Sequence, residues 1–298
     1  MSAIPTPVRW AELRPDDFRT RRDACPVVYL PLGLCEPHGH VAALGLDLIK
    51  ADYYCDEAAR RFGGIVAPSQ GYHIHECGFH APWLAEVVGE ENPLLAALPP
   101  QVMLHLFLYQ LRAFARAGFT AVVAISGHSG GSQYDLRRVA TAFTTRTGVN
   151  VVMRSDPEWV EGLYTGDHAG KYEISQLLAI RPDLVDQSLL TRKDEPGSGG
   201  RLALGKDAAE ATAAHGQAIN EAILAAIGEE VIRLRSSTRT LLPPAALDYG
   251  TTESIWSEVV ATLPEWRSVS PAPGQTAIPR NSQWSGYESW PLPPSAQS

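Results

Sequence analysis

Residues 119–131 read FTAVVAISGHSGG, an apolar run that gives way at once to glycine, serine and histidine. A short run of this kind, bounded by small turn residues, is typical of a buried strand. Similar runs occur at residues 26–32 (PVVYLPL), 64–68 (GIVAP) and 149–153 (VNVVM). Helix-like segments lie between them, so the sequence predicts βαβ units, an α/β fold and a mainly parallel sheet.

Five segments have helical patterns: residues 48–62, 100–117, 133–147, 172–180 and 208–227. After about residue 241 the sequence becomes rich in proline and serine, and it contains Trp256, Trp266, Trp284 and Trp290. So many tryptophans argue against a solvated tail. We therefore expect an α/β domain over residues 1–240 and an extension over residues 241–298 that packs on its own or a neighbouring subunit. Peptide recognition by the extension is the alternative.

Composition narrows the class of protein. The net charge is −8, with 45% hydrophobic and 19% charged residues, which fits a globular protein and argues against binding to nucleic acid or to anionic membranes. The four cysteines form no C-x-x-C pair, so neither a zinc ribbon nor a disulfide scaffold is expected. The amino terminus has no signal-peptide profile and no apolar run reaches membrane-spanning length. A cytoplasmic location is the expectation.

The densest group of potential ligands is GLCEPHGH over residues 33–40. Glu36 and His38 are two residues apart, so in an extended chain their side chains point to the same side. Asp47, expected at the end of a short loop, can fold back to the same place. Two carboxylates and an imidazole suit Zn²⁺, Mn²⁺ or Fe²⁺. Taken alone, the spacing fits surface polar residues at a strand end equally well.

Two further groups follow predicted elements. His128 comes directly after the strand at residues 119–125, and open parallel sheets bind ligands at the carboxyl ends of their strands. Its flanking glycines allow close approach of backbone, although an ordinary strand-to-helix turn has the same composition. In DHAGKYEIS over residues 167–175, Glu173 lies about one turn into a helix, where the dipole favours a carboxylate. Charge complementarity at a helix start would also explain this residue.

In this order, the three groups resemble the motifs of the creatininase (creatinine amidohydrolase) family. The family's first motif is roughly G-x-x-E-Q-H-G-P-H-L-P-L-x-x-D, and the chain keeps its spacing in Glu36, His38 and Asp47. The second, N-G-H-G-G-N, stands here as SGHSGGS over residues 126–132, and the third, H-A-G-x-x-E-T-S, as HAGKYEIS over residues 168–175. The resemblance covers about residues 25–190.

The resemblance implies a three-layer α/β/α fold and hydrolysis that depends on two divalent ions per subunit (Zn, Mn or Fe). Carried over by position, one ion would be held by Glu36, Asp47 and His128. The other would be held by His38 and the shared Asp47, with Glu173 as a further carboxylate. Family members also form rings or higher assemblies, so a homo-oligomer is expected, a hexamer among the options.

The chain departs from the family pattern at several positions. Creatininase proper has a metal-ligating glutamate two residues after the motif histidine, where this chain has Gly130. That departure argues against creatinine itself as the substrate and gives Glu173 more weight. The usual asparagines flanking the second motif are Ser126 and Ser132, and the usual glutamine of the first motif is Pro37.

A histidine-rich segment, GYHIHECGFHAPW over residues 71–83, replaces one that in the family commonly ends F-P-G-T. We expect it to line a substrate pocket, with a solvated loop as the alternative. The predicted substrate-binding residues are His73, His75, Glu76, Trp83, Ser129 and Gly130.

The implied chemistry is attack of an activated water on a carbonyl group. His168, on a loop at the mouth of the site, is the predicted acid/base because imidazole titrates near neutral pH; Glu173 is given a catalytic as well as a metal-binding role. The expected small-molecule substrate is a cyclic amide or a formamide. Ring opening of a cyclic polyol ketone, of the oxidised-inositol type, and a non-catalytic ligand-binding relative are the alternatives.

Overall fold

A central sheet of four parallel strands organises the computed structural model, which describes residues 7–75, 94–192, 203–237 and 240–269. The strands are β1 (Val27–Leu32), β2 (Ile65–Val66), β3 (Ala121–Ser126) and β4 (Asn150–Ser155), in the order β2-β1-β3-β4. The pairing of β1 with β3 runs from Val27 opposite Ala121 to Leu32 opposite Ser126. The parallel sheet predicted from the apolar runs is confirmed.

Helices cover both faces of the sheet. They are α1 (Pro15–Ala24), α2 (Leu46–Phe62), α3 (Pro100–Arg116), α4 (Ser132–Thr147), α5 (Lys171–Ile180), α6 (Ala213–Arg235) and α7 (Tyr249–Val260). One apolar cluster joins the sheet to α3, α4 and α7, and a second joins the opposite face to α2 and α6. The resulting architecture is the expected three-layer α/β/α fold. None of the described helices is long and apolar enough to cross a membrane.

The structure corrects two local predictions. Asp47 lies in the first turn of α2 and not at the end of a loop. The helix predicted to start at residue 208 begins at Ala213, because the Thr212 side chain accepts a hydrogen bond from the His215 backbone and caps the helix there. A separate 3₁₀ turn covers Ala208–Glu210.

The region after residue 240 joins the core as far as it is described. Trp256 and Trp266 belong to the same apolar cluster as α3 and α4, and Trp266 is completely buried. The Asp135 carboxylate accepts hydrogen bonds from the backbone of Arg267 at 3.1 Å and of Ser268 at 2.8 Å. The described part of this region therefore packs against α3 and α4. The boundary at residue 240 and any contact with a neighbouring subunit stay predictions, and Trp284 and Trp290 lie outside the described residues.

Candidate metal centre

The predicted ligands meet at the edge of the sheet where the parallel strands end. Glu36 and His38 follow β1 and His128 follows β3, whereas Asp47 and Glu173 lie in the first turns of α2 and α5. All five are buried, with exposures between 0% for His38 and 7% for His128. The positive ends of two helices therefore face a set of carboxylates and imidazoles.

Gly127 allows this convergence. A Cβ atom at this position would lie 2.0 Å from the carbonyl oxygen of Asp47, so only glycine lets the start of α2 lie directly against the loop after β3. That contact brings Asp47 beside His128.

Glu36, Asp47 and His128 form a first ligand group. The Nδ1 atom of His128 lies 2.9 Å from Oε1 of Glu36 and 3.4 Å from Oδ2 of Asp47. One ligand atom from each residue lies within 4.8 Å of the others. Donor atoms that share one tetrahedral ion at bonds of ~2.0–2.2 Å are spaced by roughly 3.3–3.6 Å, so the separations of 2.9 and 3.4 Å suit the ligands of a single divalent ion.

His38, Asp47 and Glu173 form a second ligand group. The Nε2 atom of His38 lies 3.4 Å from Oδ1 of Asp47 and 3.7 Å from Oε2 of Glu173. Its other nitrogen, Nδ1, lies 3.0 Å from the Glu36 carbonyl oxygen. A proton on Nδ1 donates to that carbonyl, which leaves the Nε2 lone pair facing the carboxylates. Asp47 thus offers one oxygen to each group.

The chemistry of these atoms fits divalent metal ions. Among the described residues, the buried His38 Nε2 and both carboxylate oxygens of Asp47 have no hydrogen-bond partner. Unpaired buried polar atoms are costly and rare, and one metal ion in each ligand group would satisfy all three. Imidazole nitrogen with carboxylate oxygen is a donor set that Zn²⁺, Mn²⁺ and Fe²⁺ accept.

Opposite charges within the cluster shift the pKa values of its members. Burial favours the neutral form of Glu36, but the charges of His128, His75 and His168 outweigh it and hold the pKa of the carboxyl well below its usual range. Burial likewise lowers the pKa of His38, whereas the carboxylate of Asp47, followed by those of Glu173 and Glu36, raises it, with a net result of about 9. A metal ion that binds at neutral pH must therefore displace imidazole protons.

A buried lysine and aspartate complete the cluster, and the sequence analysis missed both. Lys50 is completely buried, and its Nζ atom lies 2.5 Å from Oε1 of Glu173 and 3.4 Å from Oδ1 of Asp156. Lys50 is on the buried face of α2, one turn after Asp47, and the helical period of that face would have revealed it. Asp156 directly follows β4, at the same edge as His128.

Backbone and side-chain contacts fix the Glu173 carboxylate. Asp167 accepts hydrogen bonds from the backbone N–H groups of Gly170, Tyr172 and Glu173 at 3.0, 2.7 and 3.2 Å and so orders the start of α5. The backbone N–H of Ala169 donates to Oε2 of Glu173 at 2.9 Å. Both carboxylate oxygens of Glu173 therefore have defined neighbours.

His168, the predicted acid/base, lies partly exposed at the edge of the cluster. Its Nε2 atom lies 3.2 Å from the Pro37 carbonyl oxygen, and its Nδ1 atom lies 4.0 Å from Oε1 of Glu36. The ring stacks on His38 with a centroid distance of 5.0 Å. Glu36, His38 and His168 also meet the spacing of a ligand group, so a metal-binding role competes with the acid/base role, which stays a prediction.

The predicted substrate-binding residues fall in different places. Ser129 and Gly130 are exposed beside His128. The Nε2 atom of His75 lies 2.8 Å from Oε2 of Glu36, which can accept a hydrogen bond from it. His73 is fully buried, with its Nε2 atom 3.3 Å from Oγ of Ser126. His73 thus supports the loop of His128, and its direct contact with substrate stays a prediction. The other two, Glu76 and Trp83, lie outside the described residues.

Buried carboxylates and imidazoles clustered at this edge of an α/β sheet form the kind of site that metal-dependent hydrolases use. The sequence profile of the creatininase family, described as creatinine amidohydrolase, matches residues 11–231. The chain belongs to the creatininase family, which confirms the resemblance seen in the motifs. A creatinine amidohydrolase of Pseudomonas putida is 27% identical over 178 residues, or 54% of this chain and 66% of that relative. The aligned part is just short of two thirds of the relative's length.

Solved structures agree in fold. A crystal structure of creatinine amidohydrolase (creatininase) has a TM-score of 0.63 at 21% identity and covers 78% of this chain and 100% of its own. A manganese form of creatininase and a mutant of Zn–Zn type each have a TM-score of 0.61 at 22% identity, and cover 76% and 77% of this chain and 98% of their own.

Proposed function

We propose that this protein is an amidohydrolase in which two divalent ions activate water for attack on the carbonyl group of a small cyclic amide or a formamide. The observation that carries the proposal is the pair of ligand groups that share Asp47, one oxygen facing each group. Membership of the creatininase family supports the same class of reaction.

The ligand assignment follows from the two groups. Glu36, Asp47 and His128 would hold one ion, and His38, Asp47 and Glu173 the other. Ions bound there would supply a water of lowered pKa and positive charge for the oxygen of the attacked carbonyl. Glu36 is held for this purpose by His75, 2.8 Å from its second oxygen.

His168 is assigned the proton transfers. A proton on Nε2 donates to the Pro37 carbonyl, which leaves the Nδ1 lone pair on the side of Glu36. This nitrogen can take a proton from the attacking water and return it to the leaving nitrogen of the amide. The side chain is 39% exposed, which supports a role in contact with substrate.

The lack of a side chain at Gly130, next to the His128 ring, affects which substrates can fit. Gly130 is exposed, and a Cβ atom there would lie 3.5 Å from Nε2 of His128. A side chain longer than alanine would cover this edge of the ring, whereas glycine leaves room for substrate. His75 and His168 also bring hydrogen-bonding nitrogens to the cluster, which favours a second candidate, ring opening of a hydroxylated cyclic ketone.

Metal content is the first test. The purified parent is compared by elemental analysis with the Glu36→Gln/Asp47→Asn double variant, and with Glu229→Gln, an exposed position on α6, as the matched control. About two equivalents in the parent and the control, lost in the double variant, are expected. Absence of bound metal in the parent, with none taken up on dialysis, would favour the non-catalytic relative.

Substrate profiling of the metal-loaded protein distinguishes the catalytic candidates. Cyclic amides and formamides are assayed beside cyclic polyol ketones, and turnover of the first group alone is expected. Turnover confined to the ketones would replace the amide assignment while leaving the metal site in place. The predicted homo-oligomer is measured on the same preparation by light scattering.

The role of His168 has its own test. His168→Ala is expected to lower turnover by about 10²- to 10⁴-fold, the usual contribution of a general acid/base, with unchanged metal content. Loss of metal in this variant would instead make His168 a ligand, in line with its place beside Glu36 and His38.

A further inference from the structure

Lys50 ends beside the second ligand group although no part of its side chain reaches solvent. Three carboxylates surround its Nζ atom: Glu173 at 2.5 Å, Asp156 at 3.4 Å and Asp47 at 4.0 Å. A buried ammonium group requires such partners because desolvation of the charge is costly. Two of the three are proposed metal ligands, so the ammonium group and a metal ion draw on the same carboxylates.

The contact with Glu173 determines which of its oxygens faces the ligand group. Oε1 accepts from Lys50, and Oε2 accepts from the Ala169 backbone at 2.9 Å and lies 3.7 Å from Nε2 of His38. With Lys50 in place, Oε1 is engaged by the ammonium group, and Oε2 is the oxygen nearest to His38. Glu173 can then offer one oxygen to a metal ion, and not both.

The charge of Lys50 acts on the same group. The Asp47 oxygen that pairs with its Nζ atom, at 4.0 Å, is the one that faces His38. A fixed positive charge beside the second ligand group raises the energy of a cation bound in that group. Asp156 offsets this charge and is itself held by Nε2 of Gln176 at 3.0 Å. Among the described ion pairs of Lys50, none involves Glu36 or His128.

We propose that Lys50 is a positioning residue that restricts Glu173 to one-oxygen coordination and weakens the His38–Asp47–Glu173 site relative to the Glu36–Asp47–His128 site. Asp156 is the counter-charge that limits this weakening. The inference rests on the proposed two-ion function. It predicts that the two ions bind in order, the first group being filled before the second.

Two substitutions should change the affinity for the second ion in opposite directions. Lys50→Met removes the charge at similar length and frees Oε1 of Glu173, so the dissociation constant of the second ion should fall at least about tenfold. Asp156→Asn leaves the Lys50 charge without its counter-charge, so the same constant should rise at least about tenfold. The first ion should change by less than about threefold in both, because Lys50 makes no described ion pair with Glu36 or His128 and its pair with Asp47 is with the oxygen that faces His38.

The measurement is a titration of the metal-free full-length protein at pH 8, with Zn²⁺ in competition with a chromophoric chelator and with Co²⁺ followed by visible absorption. Co²⁺ absorbs more weakly at higher coordination number, so Lys50→Met should lower the absorption per ion of the second Co²⁺ only. A merely structural role for Lys50 would weaken both ions in both variants and leave the spectrum of the bound ion unchanged.

The double variant Lys50→Met/Asp156→Asn serves as the control for misfolding of the single variants, because it removes both opposite charges together. It should bind the second ion with an affinity between those of the single variants. Opposite shifts in the single variants establish the inference. Equal affinities for both ions in the parent, or shifts of one sign, overturn it and leave the proposed function standing. A parent that binds no ion overturns the proposed function itself.

Discussion

Replacement of Gly127 by alanine is expected to separate Asp47 from His128 without altering any ligand. A Cβ atom at position 127 would lie 2.0 Å from the carbonyl oxygen, 2.7 Å from the carbonyl carbon and 2.9 Å from the Cα atom of Asp47. All three are backbone atoms, which cannot rotate away as the end of a flexible side chain can. The start of α2 and the loop after β3 must therefore move apart.

The size of the movement follows from the contact distance. Real Cβ atoms essentially never approach a non-bonded atom closer than 3.0 Å, so the two segments must separate by about 1 Å. Metal–ligand distances tolerate about ±0.2 Å, and loss of ligand orientation typically costs about 10- to 100-fold in affinity. We expect a weakening of this size, together with a loss of about 1–3 kcal/mol in the free energy of unfolding from overpacking.

Chelator competition measures the metal affinity, and chemical denaturation of the metal-free protein measures the free energy of unfolding. Gly130→Ala is the matched control, since a Cβ atom there makes only an ordinary contact of 3.5 Å with His128. A Gly127→Ala protein with the metal affinity and stability of the parent would refute the claim that this backbone contact places Asp47.

Three further results are expected. Metal binding to the second group at pH 7 should release a proton from His38, because its pKa of about 9 in the metal-free protein means that the ring is protonated at that pH. The metal affinity should therefore rise from pH 7 to pH 9, and the proton release should disappear by about pH 10. A pH indicator that detects no proton release at pH 7 would contradict this pKa. Trp266→Ala should cost about 3–5 kcal/mol of unfolding free energy, because the ring is completely buried in the α3–α4–α7 cluster; a denaturation midpoint equal to that of the parent would show that residues after 240 do not stabilise the domain. Asp135→Ala should cost about 1–3 kcal/mol, because it removes the acceptor for the backbone of Arg267 and Ser268, and the same denaturation experiment would detect it.

Much of the fold follows from local sequence pattern. The four apolar runs contain strands β1 to β4. The proposed ligands lie just after strands or in the first turns of helices, because parallel strands all end at one edge of the sheet. The start of α6 was predicted five residues early because alanine-rich sequence favours helix on both sides of Thr212. The capping hydrogen bond, and not the propensity of the neighbouring residues, sets the boundary.

The ligand residues were predictable, and their buried partners were not. Glu36, His38 and Asp47 have a spacing that suggests chemistry, whereas a single lysine within a helix is most often at the surface. Lys50 is buried only because residues 46, 47, 50, 51 and 54 form the inner face of α2. Asp156 looks equally ordinary in the sequence, and its role depends on β4 lying beside β3.

Helix α2 connects the architecture of this site to its electrostatics. Its first turn carries Asp47, which faces both ligand groups, and its next turn carries Lys50, which contacts Glu173 and the Asp47 oxygen that faces the second group. A displacement of the helix start, as in Gly127→Ala, moves the shared ligand and should weaken both ions together. A change of charge one turn later, as in Lys50→Met, leaves Asp47 in place and should alter the second ion alone. Metal titrations of the two variants therefore separate the geometric contribution of α2 from its electrostatic one. If Gly127→Ala weakens the binding of both ions and Lys50→Met strengthens the binding of the second ion alone, the two contributions are independent.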